Sequence, residues 1–230
     1  MFFFLAALFA IATAALLVEF FRNPITHAGH ATATRSRGFI TDYATVLRSP
    51  WARLIIALGF IEAAFMFGAF AYVGADLHLR FGLSFAVVGL FVGAFAIGGL
   101  IYSLSVRALV NRLGQVGLVT GGGIMLALAY VTIAFAPFAN LAPFAITAIG
   151  LGYYMLHNTL QTNATQMSPE ARGTAVAIFS SALYLGQTLG VAINGIIFDR
   201  FTAVPVFVIA AIGLLALGLW FARQLRRHAK

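Results

Sequence analysis

Glu62 is an acidic residue inside the apolar run 52–75, and its neighbours on the same helical face are Leu58, Phe65, Met66 and Ala69. Placing a carboxyl at such a depth in a bilayer costs on the order of 3 kcal/mol on insertion scales. A carboxyl stripped of water resists ionisation. It can therefore hold a proton in one conformation and release it in another, or hold a cationic substrate. The alternative is a neutral acid hydrogen-bonded to a neighbouring helix for packing alone. A second polar group follows in the run 143–165: Tyr153, Tyr154, His157, Asn158 and Gln161. Tyr154, His157 and Gln161 share one helical face, and Asn158 borders it. A polar stripe in a membrane helix faces a cavity or another helix. It either binds a substrate or makes interhelical hydrogen bonds worth about 0.6 kcal/mol each. Gln187 and Asn194, in the run 173–198, are further candidates for substrate contact.

Other chemistries are poorly supplied. The chain has no cysteine, which removes disulfides, thiol catalysis and thiolate metal sites. Of its five histidines only His27 and His30 lie close together, so no metal is expected. No phosphate-binding loop and no nucleophile–base motif occurs, so neither a cofactor nor an enzymatic activity is expected. The net charge of +8 comes from Arg residues scattered between apolar runs, which offers no basic face to nucleic acid.

The elements that must position these residues are membrane helices. Of the 230 residues 62% are hydrophobic and 9% charged, against about 25% charged in a soluble domain. Apolar runs long enough to span a bilayer occupy 2–21, 52–75, 85–106, 116–136, 143–165, 173–198 and 203–222. All six prolines fall between these runs or in a first helical turn. The alternation of a membrane β-barrel is missing. The expected fold is an all-α, multi-pass integral membrane bundle of seven transmembrane helices, with the lipid bilayer as its solvent.

Lys and Arg set the expected direction. If the first span runs from outside to inside, Arg22, Arg35, Arg37, Arg48, Arg53, Arg107, Arg112, Arg172, Arg223, Arg226, Arg227 and Lys230 lie inside, and only Arg80 and Arg200 outside. This places the N-terminus outside and the C-terminus in the cytoplasm of a cell bounded by a plasma (inner) membrane. Met1-Phe2-Phe3-Phe4 has no basic stretch ahead of the apolar run, so the first span is expected to be retained rather than cleaved. The chain then divides into a single helix (1–21), a cytoplasmic linker (22–50) and a six-helix domain (51–230). Within the linker, residues 39–48 are expected to form an interfacial helix before Trp51.

The six-helix domain splits into two threes. The middle helix of one contains Gly89 and Gly93 and is followed by Asn111-Arg112-Leu113; that of the other contains Gly186 and Gly190 and is followed by Asp199-Arg200-Phe201. Both present a small-xxx-small face suited to close helix packing. The second lies three helices on from the first, so the feature lies inside in one copy and outside in the other, as in a 3+3 inverted repeat.

With these features, residues 39–222 resemble the C-terminal half of a major facilitator superfamily transporter, in the branch of drug and sugar efflux permeases. Arg107-Ala108-Leu109-Val110-Asn111-Arg112-Leu113-Gly114-Gln115 is similar to that family's eighth-to-ninth helix loop, with Asn111 where the family carries Asp and Gln115 at its second basic position. Ser168-Pro169-Glu170-Ala171-Arg172-Gly173-Thr174-Ala175 is similar to its tenth-to-eleventh helix loop, and His157 to Met167 leads into it. The resemblance implies that the first span is the family's sixth helix and that the helices carrying Glu62 and His157 line a central cavity. It implies secondary transport of a small solute, proton-coupled and efflux-type, by alternating access. It covers about half of such a transporter. The missing N-terminal half, or a second chain, is the expected partner, docking through the two glycine faces. The alternative is a truncated or split membrane protein that transports nothing by itself.

Overall fold

The computed structural model describes residues 39–228, together with Ile11 and Ala14, which are helical. The chain divides into two units, Met1–Thr41 and Asp42–Lys230. The rest of the expected span 2–21 and residues 22–38 of the linker lie outside the described residues.

Every regular element among the described residues is helical: α1 (Phe39–Arg48), α2 (Pro50–Phe70), α3 (Val73–Phe81), α4 (Phe85–Phe135), α5 (Ala142–Gln166), α6 (Arg172–Arg200) and α7 (Ala203–His228), with single 3-10 turns at Ala139–Leu141 and Pro169–Ala171. The starts follow from capping chemistry. The Ser49 hydroxyl accepts from the Ala52 amide ahead of Pro50, and Ser84 does the same for Val87. Among the described residues, five stretches are long and apolar enough to cross a membrane: Pro50–Phe81, Phe85–Phe135, Ala139–Gln166, Pro169–Arg200 and Ala203–His228.

These five do not map one to one on the seven apolar runs. The run 2–21 falls outside the described residues apart from Ile11 and Ala14, and the runs 85–106 and 116–136 both lie in α4. The expected loop 107–115 between them is helical except at Gly114, whose φ of 59° and ψ of −179° break the helix. Only glycine adopts that backbone geometry readily. The break folds α4 back on itself. A Cβ at Gly98 would run into Thr147 and Leu151, and one at Gly122 would lie 2.7 Å from the Gly152 oxygen. Both positions thus pack on neighbouring turns of α5, although a straight helix would hold them about 36 Å apart.

Close backbone approach is the main packing device, as expected where lipid removes most of the hydrophobic drive between helices. Gly123 of α4 packs on Gly218 of α7, at 3.1 Å from its Cα for an added Cβ. Gly186 and Gly190 of α6 pack on Phe60 and Ala64 of α2. Around these contacts lies a core that includes Leu58, Met66, Leu126, Tyr130, Ile149, Leu156 and Phe207. Its buried Tyr130 hydroxyl donates to the Met66 carbonyl at 2.7 Å.

The start of α2, the Gly114 break, the end of α5 and the end of α7 meet at one end of the bundle, where Ser49, Gly114, Asn163 and His228 line one cavity. Trp51 and His228 stack there with ring centroids 3.9 Å apart. By chain order, Arg48, Arg53, Arg112, Arg172, Arg223, Arg226 and Arg227 also fall at this end. Arg80 and Arg200 fall at the other. There the Arg80 guanidinium donates to the Ala134 and Ile133 carbonyls (2.9 and 2.6 Å), satisfying the open C-terminal end of α4, and pairs with Asp76 at 2.8 Å.

Candidate functional site

α2 sits between α6, α7 and α5, so a residue on its inner face loses all contact with solvent. Glu62 is 0% exposed. Its sequence neighbours offer no charged partner, but α5 supplies one: His157 Nδ1 lies 2.8 Å from Glu62 Oε2. Glu62 Oε1 is buried with no hydrogen-bond partner. The pair can exist as carboxylate with imidazolium or as acid with neutral imidazole, and one proton moving between Nδ1 and Oε2 interconverts them.

Aromatic rings fix the imidazole. Tyr153 stacks on it at 4.8 Å, and Phe179 of α6 lies on it at 6.2 Å. Phe67 of α2 meets Tyr153 edge-on at 5.2 Å. His157 forms part of the wall of a cavity of about 280 Å³, with Tyr153, Gln161, Ser180, Tyr184 and Gln187 supplying the other polar groups. The cavity therefore combines apolar rings with a few polar tips, the usual make-up of a small-molecule site.

The candidates named from sequence separate into groups. Tyr153, His157, Gln161 and Gln187 come together at this cavity. Tyr154 turns away toward Tyr102 and Phe95, at 6.1 and 6.0 Å. Asn158 lines a second cavity of about 450 Å³, which Gln161 also borders. Asn194 is buried in the α2–α6 contact, with its amide nitrogen 2.8 Å from where a Cβ on Gly68 would be. The glycine faces also part company. Gly186 and Gly190 are covered by α2 of the same chain, whereas nothing lies within 4 Å of a Cβ added at Gly89 or Gly93. Asn111 and Arg112 are exposed on the last turn before Gly114. No cluster of metal-ligating side chains occurs among the described residues.

Sequence reasoning missed Ser180 and Tyr184, which reach the cavity beside Gln187. Their spacing of i, i+4 and i+7 puts the three on one helical face, a polar stripe parallel to the one on α5. It also missed the bond from Asn163 Nδ2 to Gln115 Oε1 at 3.1 Å, which ties α5 to the residue after the Gly114 break.

The family profile of the Major Facilitator Superfamily matches residues 1–171, most of the chain. The chain belongs to the major facilitator superfamily. A relative from Bacillus subtilis (strain 168), named "Uncharacterized MFS-type transporter YceJ", is 23% identical over 164 residues, covering 70% of this chain and 41% of the relative. The chain thus spans about two fifths of that relative's length. No solved structure matches it. Membership agrees with the helices of the described residues, which are those of a multi-pass membrane protein.

Proposed function

We propose that the chain is the C-terminal half of a proton-coupled, efflux-type transporter of a small solute, working by alternating access. The observation that carries this proposal is the Glu62–His157 pair, 2.8 Å apart, with Glu62 fully buried and His157 set against the cavity of about 280 Å³. A protonation step at this pair changes the charge beside the cavity. Substrate held by Tyr153, Gln161, Tyr184 and Gln187 would therefore bind differently in the two proton states. Tyr153 on α5 and Tyr184 on α6 are the titratable side chains that share this cavity with His157.

The two arms of α4, 85–113 and 115–135, cross the membrane separately. The whole 51-residue helix would be about 76 Å long, more than twice a bilayer core. The domain then has six crossings, arranged as two inverted threes. Its Arg-rich end faces the cytoplasm, following the positive-inside rule.

Vesicles holding the chain together with the complementary half of the transporter test this proposal. Glu62→Gln keeps the shape and a hydrogen bond but cannot exchange a proton. It should abolish solute movement driven by a pH gradient while leaving membrane insertion unchanged. Wild-type gradient-driven transport by Glu62→Gln would remove Glu62 from the mechanism.

A second reading has its own support: the open Gly89/Gly93 face and the chain's two-fifths share of its relative's length. In that reading the chain transports nothing alone and acts only when a partner half covers this face. Reconstitution of the purified chain by itself tests this reading, because solute uptake by a monomer would exclude it.

A further inference from the structure

Glu62 is fully buried and its hydrogen-bond partner His157 lines a cavity, so His157 offers its protons a route out. From the cavity that His157 lines, a polar trail runs along α5 toward the Arg-rich end. Gln161 borders both the His157 cavity and the second cavity of about 450 Å³. Gln115 borders both that second cavity and the end cavity of about 760 Å³. The three spaces are thus consecutive and share a wall residue at each junction. At the second junction, Gln115 accepts the hydrogen bond from Asn163, forming a neck.

The side chains on this trail are left for water. Neither the Asn158 nor the Gln161 side chain has a hydrogen-bond partner among the described residues. Thr162 and Thr165 spend their hydroxyl protons on the carbonyls of Asn158 and Thr162, both at 2.7 Å, leaving oxygen lone pairs open. Lipid cannot satisfy such groups at membrane depth.

We propose that this face of α5 carries a water-filled branch through which protons reach the Glu62–His157 pair from the Arg-rich end, with the Asn163–Gln115 contact as its neck. A hydronium in the branch gives its proton to His157 Nε2 and leaves as water. Nδ1 then passes its proton to Glu62 Oε2, leaving a neutral acid and a neutral imidazole. The proton-coupled role of the pair is taken from the proposed function, but the wet branch is tested without any transport assay.

The chain has no cysteine, so single cysteines can be introduced without background. Asn158→Cys and Thr162→Cys, in vesicles with the Arg-rich end outward, should react with a charged, membrane-impermeant thiosulfonate at least tenfold faster than Leu128→Cys or Phe144→Cys on the outer surface of the bundle. Adding Asn163→Ala should open the neck and speed reaction at position 158. Adding Gln115→Phe should slow it. General misfolding would not give opposite signs. Rates at 158 and 162 no faster than at 128, or neck substitutions with no effect, would overturn the branch. A wet branch with normal transport by Glu62→Gln would instead overturn only the coupling role of the pair.

Discussion

Glu62 and His157 illustrate how a membrane interior raises the value of a single contact. With Oε1 already unpaired, loss of His157 would leave neither carboxyl oxygen satisfied. An orphaned buried polar group costs on the order of 1–3 kcal/mol, more if charged. His157→Leu should therefore lower thermal stability in detergent clearly, and His157→Leu combined with Glu62→Leu should recover most of the loss. A double variant no more stable than His157→Leu would mean that the pair is not coupled. Gln187 is different, because its side chain bonds to nothing among the described residues while lining the cavity. Gln187→Ala should change solute affinity at nearly unchanged melting temperature. A drop in melting temperature with wild-type affinity would assign it to packing instead.

At the scale of elements, the glycines sort into those that hold helices together and those that do not. Gly190 packs on the Ala64 backbone, so Gly190→Leu forces α6 away from α2 and should cost well over 1 kcal/mol. Nothing lies within 4 Å of a Cβ added at Gly93, so Gly93→Leu should stay within about 0.5 kcal/mol of the parent when the monomer is unfolded thermally. Equal losses from both would contradict the α2–α6 packing. Gly114 acts through backbone geometry alone, since space around it is open. Gly114→Ala should destabilise the chain by about 1–3 kcal/mol, because a Cβ is strained at φ 59° and ψ −179°. No loss would show that the turn between the arms of α4 is made another way.

The molecule as a whole sorts its charge by end. A cysteine replacing Ala139, beside the end that holds Arg80, should be labelled from outside the cell, and one replacing Ser49 only after the membrane is opened. The reverse pattern would refute the positive-inside orientation. The Gly89 and Gly93 face is left open within the chain, and the proposal is that a partner half or a second copy docks there. Gly93→Leu should weaken that association in nanodiscs. Gly190→Leu acts differently from the sequence expectation, since its face is already filled by α2 of the same chain.

Much of this architecture was legible in the residues alone. Hydropathy located the membrane helices and proline their starts, because lipid forces every backbone group into a local hydrogen bond and leaves little choice of secondary structure. Glu62 and His157 stood out for a related reason: polar groups in apolar runs are costly enough to be conspicuous. The helical pitch could show that Tyr154, His157 and Gln161 share a face, but not which neighbour each would meet. Tertiary structure decided that His157 closes on Glu62 from 95 positions away, while Tyr154 turns to Tyr102. It also decided that one glycine face is consumed inside the chain and the other left open. Such pairings depend on how helices rotate and cross, which side-chain packing sets over distances that periodicity along one helix does not encode.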